Sequence, residues 1–105
     1  MNFDEAKKII QYESMDGIAY TSRFGDYPSK AELKKLLEAL ETVHQHLDGA
    51  TTIDRSLAAS LFVISDQVQG NYNGALDKGI SLNSDFDADD LIELNELLYA
   101  IFEDH

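Results

Sequence analysis

Residues 79–105 carry eight carboxylates, Asp85, Asp87, Asp89, Asp90, Glu93, Glu96, Glu103 and Asp104, and not one lysine or arginine. They account for two thirds of the formal net charge of −12. Oxygen donors this dense suit a hard divalent cation, acid and base work, or pairing with a basic macromolecule. Like charges repel across a compact domain, so the imbalance contributes nothing to stability. Its explanation lies in solubility, a cation or a basic partner.

The cation reading has the clearest spacing. The run Asp85-Phe86-Asp87-Ala88-Asp89-Asp90-Leu91-Ile92-Glu93-Leu94-Asn95-Glu96 sets acids at positions 1, 3, 5 and 12 of a twelve-residue loop, with an aliphatic residue at position 8. Over those residues it resembles an EF-hand calcium loop, and the resemblance implies Asp85, Asp87, Asp89 and Glu96 as metal ligands. The pattern departs at position 6, where the sharp turn needs glycine and the chain has Asp90. Leu91, Leu94, Leu98 and Ile101 also read as one continuous helix face across the same residues. The segment is therefore expected to be an acid-rich helix N-terminus, favoured by the helix dipole, with calcium binding as the lower-ranked alternative. No cofactor is implied.

Other chemistry is poorly supported. His44 and His46, two apart on a helix, point about 200° away from each other and cannot share one metal. His44 with Asp48 offers a pair of ligands without a third, and His105 is terminal. With no cysteine, thiolate zinc sites, disulfides and thiol nucleophiles are excluded. No Gly-x-Ser-x-Gly, His-Glu-x-x-His or phosphate-cradling Gly-Lys-Ser/Thr loop occurs, and acids this exposed rarely have the shifted pKa that catalysis needs, so no enzyme is expected. Eight scattered basic residues against twenty acidic ones would repel a phosphate backbone, so direct nucleic-acid binding is not expected.

Helices must position these groups. One hundred and five residues with 44% hydrophobic content suit a single ordered domain, 1–105. The spacing of Phe3, Ala6, Ile9 and Ile10 predicts a helix from Phe3 to about Glu13. A second helix is expected from Ser29 to about Leu47, opened by a Ser29/Glu32 capping box and closed by Gly49 at a left-handed position. Its stripe of Leu33, Leu36, Leu37, Leu40, Val43 and Leu47 is wide enough for a bundle core. A third is expected to begin after Thr51 or Thr52 and to run to about Gln69, stopped by Gly70. From Leu57 to Ile64 only Ser60 is polar, so this helix should be central and surrounded by the others. A fourth, from about Asp87 to Phe102, should bury Leu91, Leu94, Leu97, Leu98, Ile101 and Phe102.

The expected fold is thus all-α, a small single-domain bundle of about four helices with two long loops. These loops, Ser14–Pro28 and Gly70–Asn83, are longer than the roughly 2–8 residues usual between helices. The first holds Tyr20, Arg23, Phe24 and Tyr27, the second Tyr72, all residue types enriched at binding hot spots. Folded-back loops also need rings to pin them to a core. The N-terminus has no basic and apolar leader pattern, and no run of about 18 apolar residues occurs, so a soluble, cytoplasmic protein without membrane contact is expected.

Two functional readings remain. In the leading one the chain is an acidic module that covers a basic surface of a protein partner, an inhibitor or immunity-type antagonist of a toxin or nucleic-acid-binding protein. Asp85, Asp87, Asp89, Asp90 and Glu93, with Tyr20, Arg23, Phe24 and Tyr72, would form its binding surface. Bacterial immunity proteins and inhibitors that imitate DNA are similar in size, acidity and helicity. In the other reading it is a structural or regulatory bundle that acts as a homodimer. The sequence leaves monomer or homodimer undecided.

Overall fold

A computed structural model of the chain describes residues 1–50, 52–79, 82 and 84–104, and for Asp104 the backbone alone. Four long helices and one short one follow in order: α1 (Phe3–Met15), α2 (Ile18–Thr21), α3 (Lys30–His46), α4 (Arg55–Asp77) and α5 (Ala88–Asp104). A single 3-10 turn, Ser22–Phe24, continues α2. The described residues contain no strand. No helix among them is long and apolar enough to cross a membrane. Terminal His105, like Thr51 and Asn83, at which an expected helix or loop begins or ends, lies outside the described residues.

Local chemistry sets the helix starts. The Asn2 side chain accepts the Glu5 N–H at 2.8 Å and caps α1. At α3 the expected capping box is present: Ser29 Oγ accepts the Glu32 N–H, and the Glu32 carboxylate accepts the Ser29 N–H, both at 3.2 Å. Asp54 caps α4 by accepting the Ser56 N–H at 2.7 Å. Past α3, Gly49 sits at φ +79°, a left-handed conformation that costs glycine least.

The inward faces meet in one cluster. Ile10, Leu33, Leu36, Leu40, Val43, Leu61, Ile64, Leu94, Leu98 and Ile101 are all buried, each 2% exposed or less. α1 packs on α3 and α4, α3 also packs on α5, and α4 touches α5 least. Tyr27, Tyr72 and Phe86 close one end of the bundle, with ring centroids 4.7–6.0 Å apart. The Tyr27 hydroxyl donates to the Val68 carbonyl at 3.1 Å, and burial pushes the phenol up to about 12. Tyr27 and Tyr72, one ring from each expected loop, are thus core residues.

The structure corrects several expectations. α4 does not stop at Gly70 but runs on through Gly74 to Asp77. A glycine inside a helix costs only about 1 kcal/mol, and the buried Tyr72 and Ala75 lie on the inward face of the added turns. The first connection is not a plain loop, since α2 and the 3-10 turn fill its middle. α4 is not surrounded: Phe62 and Val63 are 64% and 37% exposed, on the side facing away from Leu61 and Ile64. Phe102 is likewise half out, at 41%.

Candidate functional site

The acids divide into two groups with different surroundings. At the start of α5, Asp87 and Asp90 cap the helix reciprocally: Asp90 Oδ2 accepts the Asp87 N–H at 3.0 Å and Asp87 Oδ1 accepts the Asp90 N–H at 3.1 Å. Both carboxylates also converge on one cation. Lys30 Nζ lies 2.7 Å from Asp90 Oδ2 and 3.0 Å from Asp87 Oδ2, and the Lys30 backbone N–H donates to Asp85 Oδ1 at 2.8 Å. Asp90 holds the Lys30 ammonium well above the usual lysine range, with Asp87 adding to the effect. In turn, the Lys30 ammonium and the Asp90 N–H keep Asp87 below the usual aspartate range.

This junction ties the N-terminus of α3 to that of α5, and Ser84 Oγ, donating to the Pro28 carbonyl at 3.1 Å, reinforces it. Three of the expected partner-binding acids, Asp85, Asp87 and Asp90, are therefore engaged within the fold, and Asp90 is only 8% exposed. The same geometry bears on the calcium alternative. The chain is helical from Ala88 onward, so residues 85–96 do not wrap a loop, and the ammonium of Lys30 stands where Asp87 and Asp90 converge. Among the described residues no group of three or more His, Asp or Glu side chains could hold a metal ion. His46 stacks on Phe3 instead, with centroids 3.7 Å apart.

The second group lies along the outer face of α5. Leu91, Leu94, Leu98 and Ile101 point inward, which turns Asp89, Ile92, Glu93, Glu96, Tyr99 and Glu103 outward at helical spacing. Ile92 and Tyr99 are 54% and 50% exposed, and Phe102 flanks them. Among the described residues no ion pair reaches Asp89, Glu93, Glu96 or Glu103. The face thus combines apolar anchors with uncompensated carboxylates.

The expected aromatic residues also separate. Tyr20 and Phe24 are exposed and lie edge to face at 5.6 Å, with exposed Arg23 between them in sequence, so they make a second apolar spot on α2 and its 3-10 turn. Tyr72 is 8% exposed in the aromatic cluster, which removes it from the surface. Sequence reading placed Asp89 and Glu93 on the surface but passed over Ile92 and Tyr99. Their spacing of seven, out of phase with the leucines, was the available signal. No protein-family model matches the chain, and neither the curated proteins nor the solved structures compared with it give a match.

Proposed function

We propose that the chain is a small acidic protein-binding module whose α5 outer face docks on a basic surface of a partner, acting as an inhibitor or immunity-type antagonist. The observation that carries this reading is the α5 face itself. Glu93, Glu96 and Glu103 have no cation partner among the described residues, and they border the exposed Ile92 and Tyr99. Charges of this kind steer a partner and set its approach rate, while desolvated rings set its residence time. The exposed Tyr20–Phe24 pair offers a second contact.

A photoreactive residue in place of Tyr99 identifies the protein that rests on this face. Association kinetics with that protein, at two salt concentrations, then test the charge argument. Neutralising Asp89, Glu93, Glu96 and Glu103 together is expected to slow association and flatten its salt dependence. Tyr99→Ala is expected to speed dissociation instead, by about 2 kcal/mol for a true anchor. Unchanged rates at both salt concentrations would reduce the face to a solvated surface.

A homodimer is the second reading, and the adjacent exposed Phe62 and Val63 on α4 favour it. Sedimentation equilibrium on wild type and Phe62→Ser separates the two: a dimer lost on substitution supports the homodimer.

A further inference from the structure

A cleft of about 780 Å³ opens where α1, α2 and α3 meet, on a wall the α5 face does not share. Ile9, Ile18, Leu36 and Pro28 give it apolar sides, and the rings of Tyr12 and Tyr27 line it. One carboxylate is set into this wall. Glu13 is half-buried, and its carboxyl lies beside Gly17, toward the backbone N–H of Ile18 at the start of α2. Gly17 makes that position available, because a Cβ there would fall 2.7 Å from the Glu13 Cα and closer still to its carboxyl. No ion pair reaches Glu13 among the described residues.

We propose that this cleft receives an arginine side chain of the basic partner, with its aliphatic stem along the apolar walls and its guanidinium on the Glu13 carboxylate. The inference rests on the protein-binding reading above and names a second point of contact for it. Apolar sides with a carboxylate set among them match an arginine, whose apolar stem carries a planar and weakly hydrated cation. The cleft reaches Ser84, the neighbour of the exposed Asp85, so a basic segment lying across its mouth stays in an acidic field.

The charged groups facing Glu13 come from α1, α3 and the link before α3. Lys8 lies on α1, Glu32 and Lys35 on α3, and Asp26 on the link between α2 and α3. Burial pushes the Glu13 carboxyl above the usual glutamate range, the Ile18 N–H draws it back, Glu32 raises it and Lys35 lowers it. A bound guanidinium restores the solvation that burial removes, so binding and Glu13 ionisation are linked.

The test uses N-acetyl-arginine N-methylamide as the probe, with the lysine and citrulline counterparts beside it. The Ile18 amide and the Glu13 carboxyl are followed by nuclear magnetic resonance across pH. The arginine probe is expected to shift both signals saturably and to move the Glu13 titration downward. Glu13→Gln keeps an oxygen for the Ile18 N–H and is expected to weaken the probe by about tenfold or more, as loss of a charged hydrogen-bond partner does. Ala31→Phe, which crowds the mouth, is expected to weaken it as well. Equal binding of citrulline, tighter binding of lysine, or an arginine affinity unchanged by Glu13→Gln overturns the proposal. The quadruple neutral variant on α5 is expected to leave probe binding intact. Failure of the cleft is therefore read here, and failure of the α5 face is read separately in the partner kinetics.

Discussion

Replacing Gly70 and Gly74 together by alanine should stabilise the protein. Both lie inside α4 with no positive φ, and a methyl group built on either meets no heavy atom within 4 Å, so the substitution adds no clash. Each glycine costs a helix about 0.5 to 1 kcal/mol relative to alanine, because its freer backbone must be fixed on folding. The pair is therefore worth about 1 to 2 kcal/mol. In a domain of this size each kcal/mol moves Tm by roughly 4–8 °C, so the double variant is expected to melt roughly 4 to 16 °C higher. Differential scanning calorimetry measures the shift, and urea unfolding with a raised midpoint and an unchanged m-value confirms that stability changed and not the compactness of either state. Gly17→Ala is the matched control and is expected to lower Tm, since its Cβ would press on the backbone of Glu13. An unchanged or lower Tm in the Gly70/Gly74 double variant would refute the reasoning and return the end of α4 to Gly70.

Three further outcomes follow from the core and its junctions. Leu61→Ala is expected to cost about 2 to 5 kcal/mol in denaturant unfolding, because Leu61 is fully buried on α4; a cost under about 1 kcal/mol would misplace the core. Burial raises the Tyr27 phenol to about 12, against about 10 in the unfolded chain, so its contribution is fully present below pH 10 and is lost as pH rises toward 12. Tyr27→Phe should flatten that alkaline loss, as read by Tm across the window. Lys30→Met should lower Tm at pH 7 and much less near pH 2: Asp87 titrates below its unfolded value, so the stability it contributes is present above that value and vanishes as acid protonates it. Equal losses at both pH values would show that the pairing of Lys30 with the Asp87 carboxylate does not carry the effect.

Local signals were legible in the sequence, and long-range ones were not. The Ser29/Glu32 box and the leucine stripe fixed α3 to within a residue or so, because capping and periodicity are properties of neighbouring residues. Gly70 misled for the same reason. A local stop signal says nothing of Tyr72 and Ala75, whose burial against distant elements carries the helix onward. Asp85, Asp87 and Asp90 read as free surface acids because their partner, Lys30, lies 55 to 60 residues away in the chain. The Glu13 carboxyl was equally hidden, since only the turn at Gly17 brings the start of α2 across it. On α5 spacing placed Leu91, Leu94, Leu98 and Ile101 inward, as they are, but misplaced Phe102, which is half out, and Asp90, which is buried.

That α5 has no basic residue bears on when its face exists at all. Seventeen residues with acids at 89, 90, 93 and 96 have no attractive charge pair to stabilise an isolated helix and several repulsive ones. Its helical form therefore depends on the docking of Leu94, Leu98 and Ile101 and on the Lys30 junction at its start. Because α5 follows every other helix in the chain, the rest of the core is already synthesised before it can dock. The outward row of carboxylates and rings is thus displayed only once α5 has docked, and whatever reads that row reads an assembled core as well.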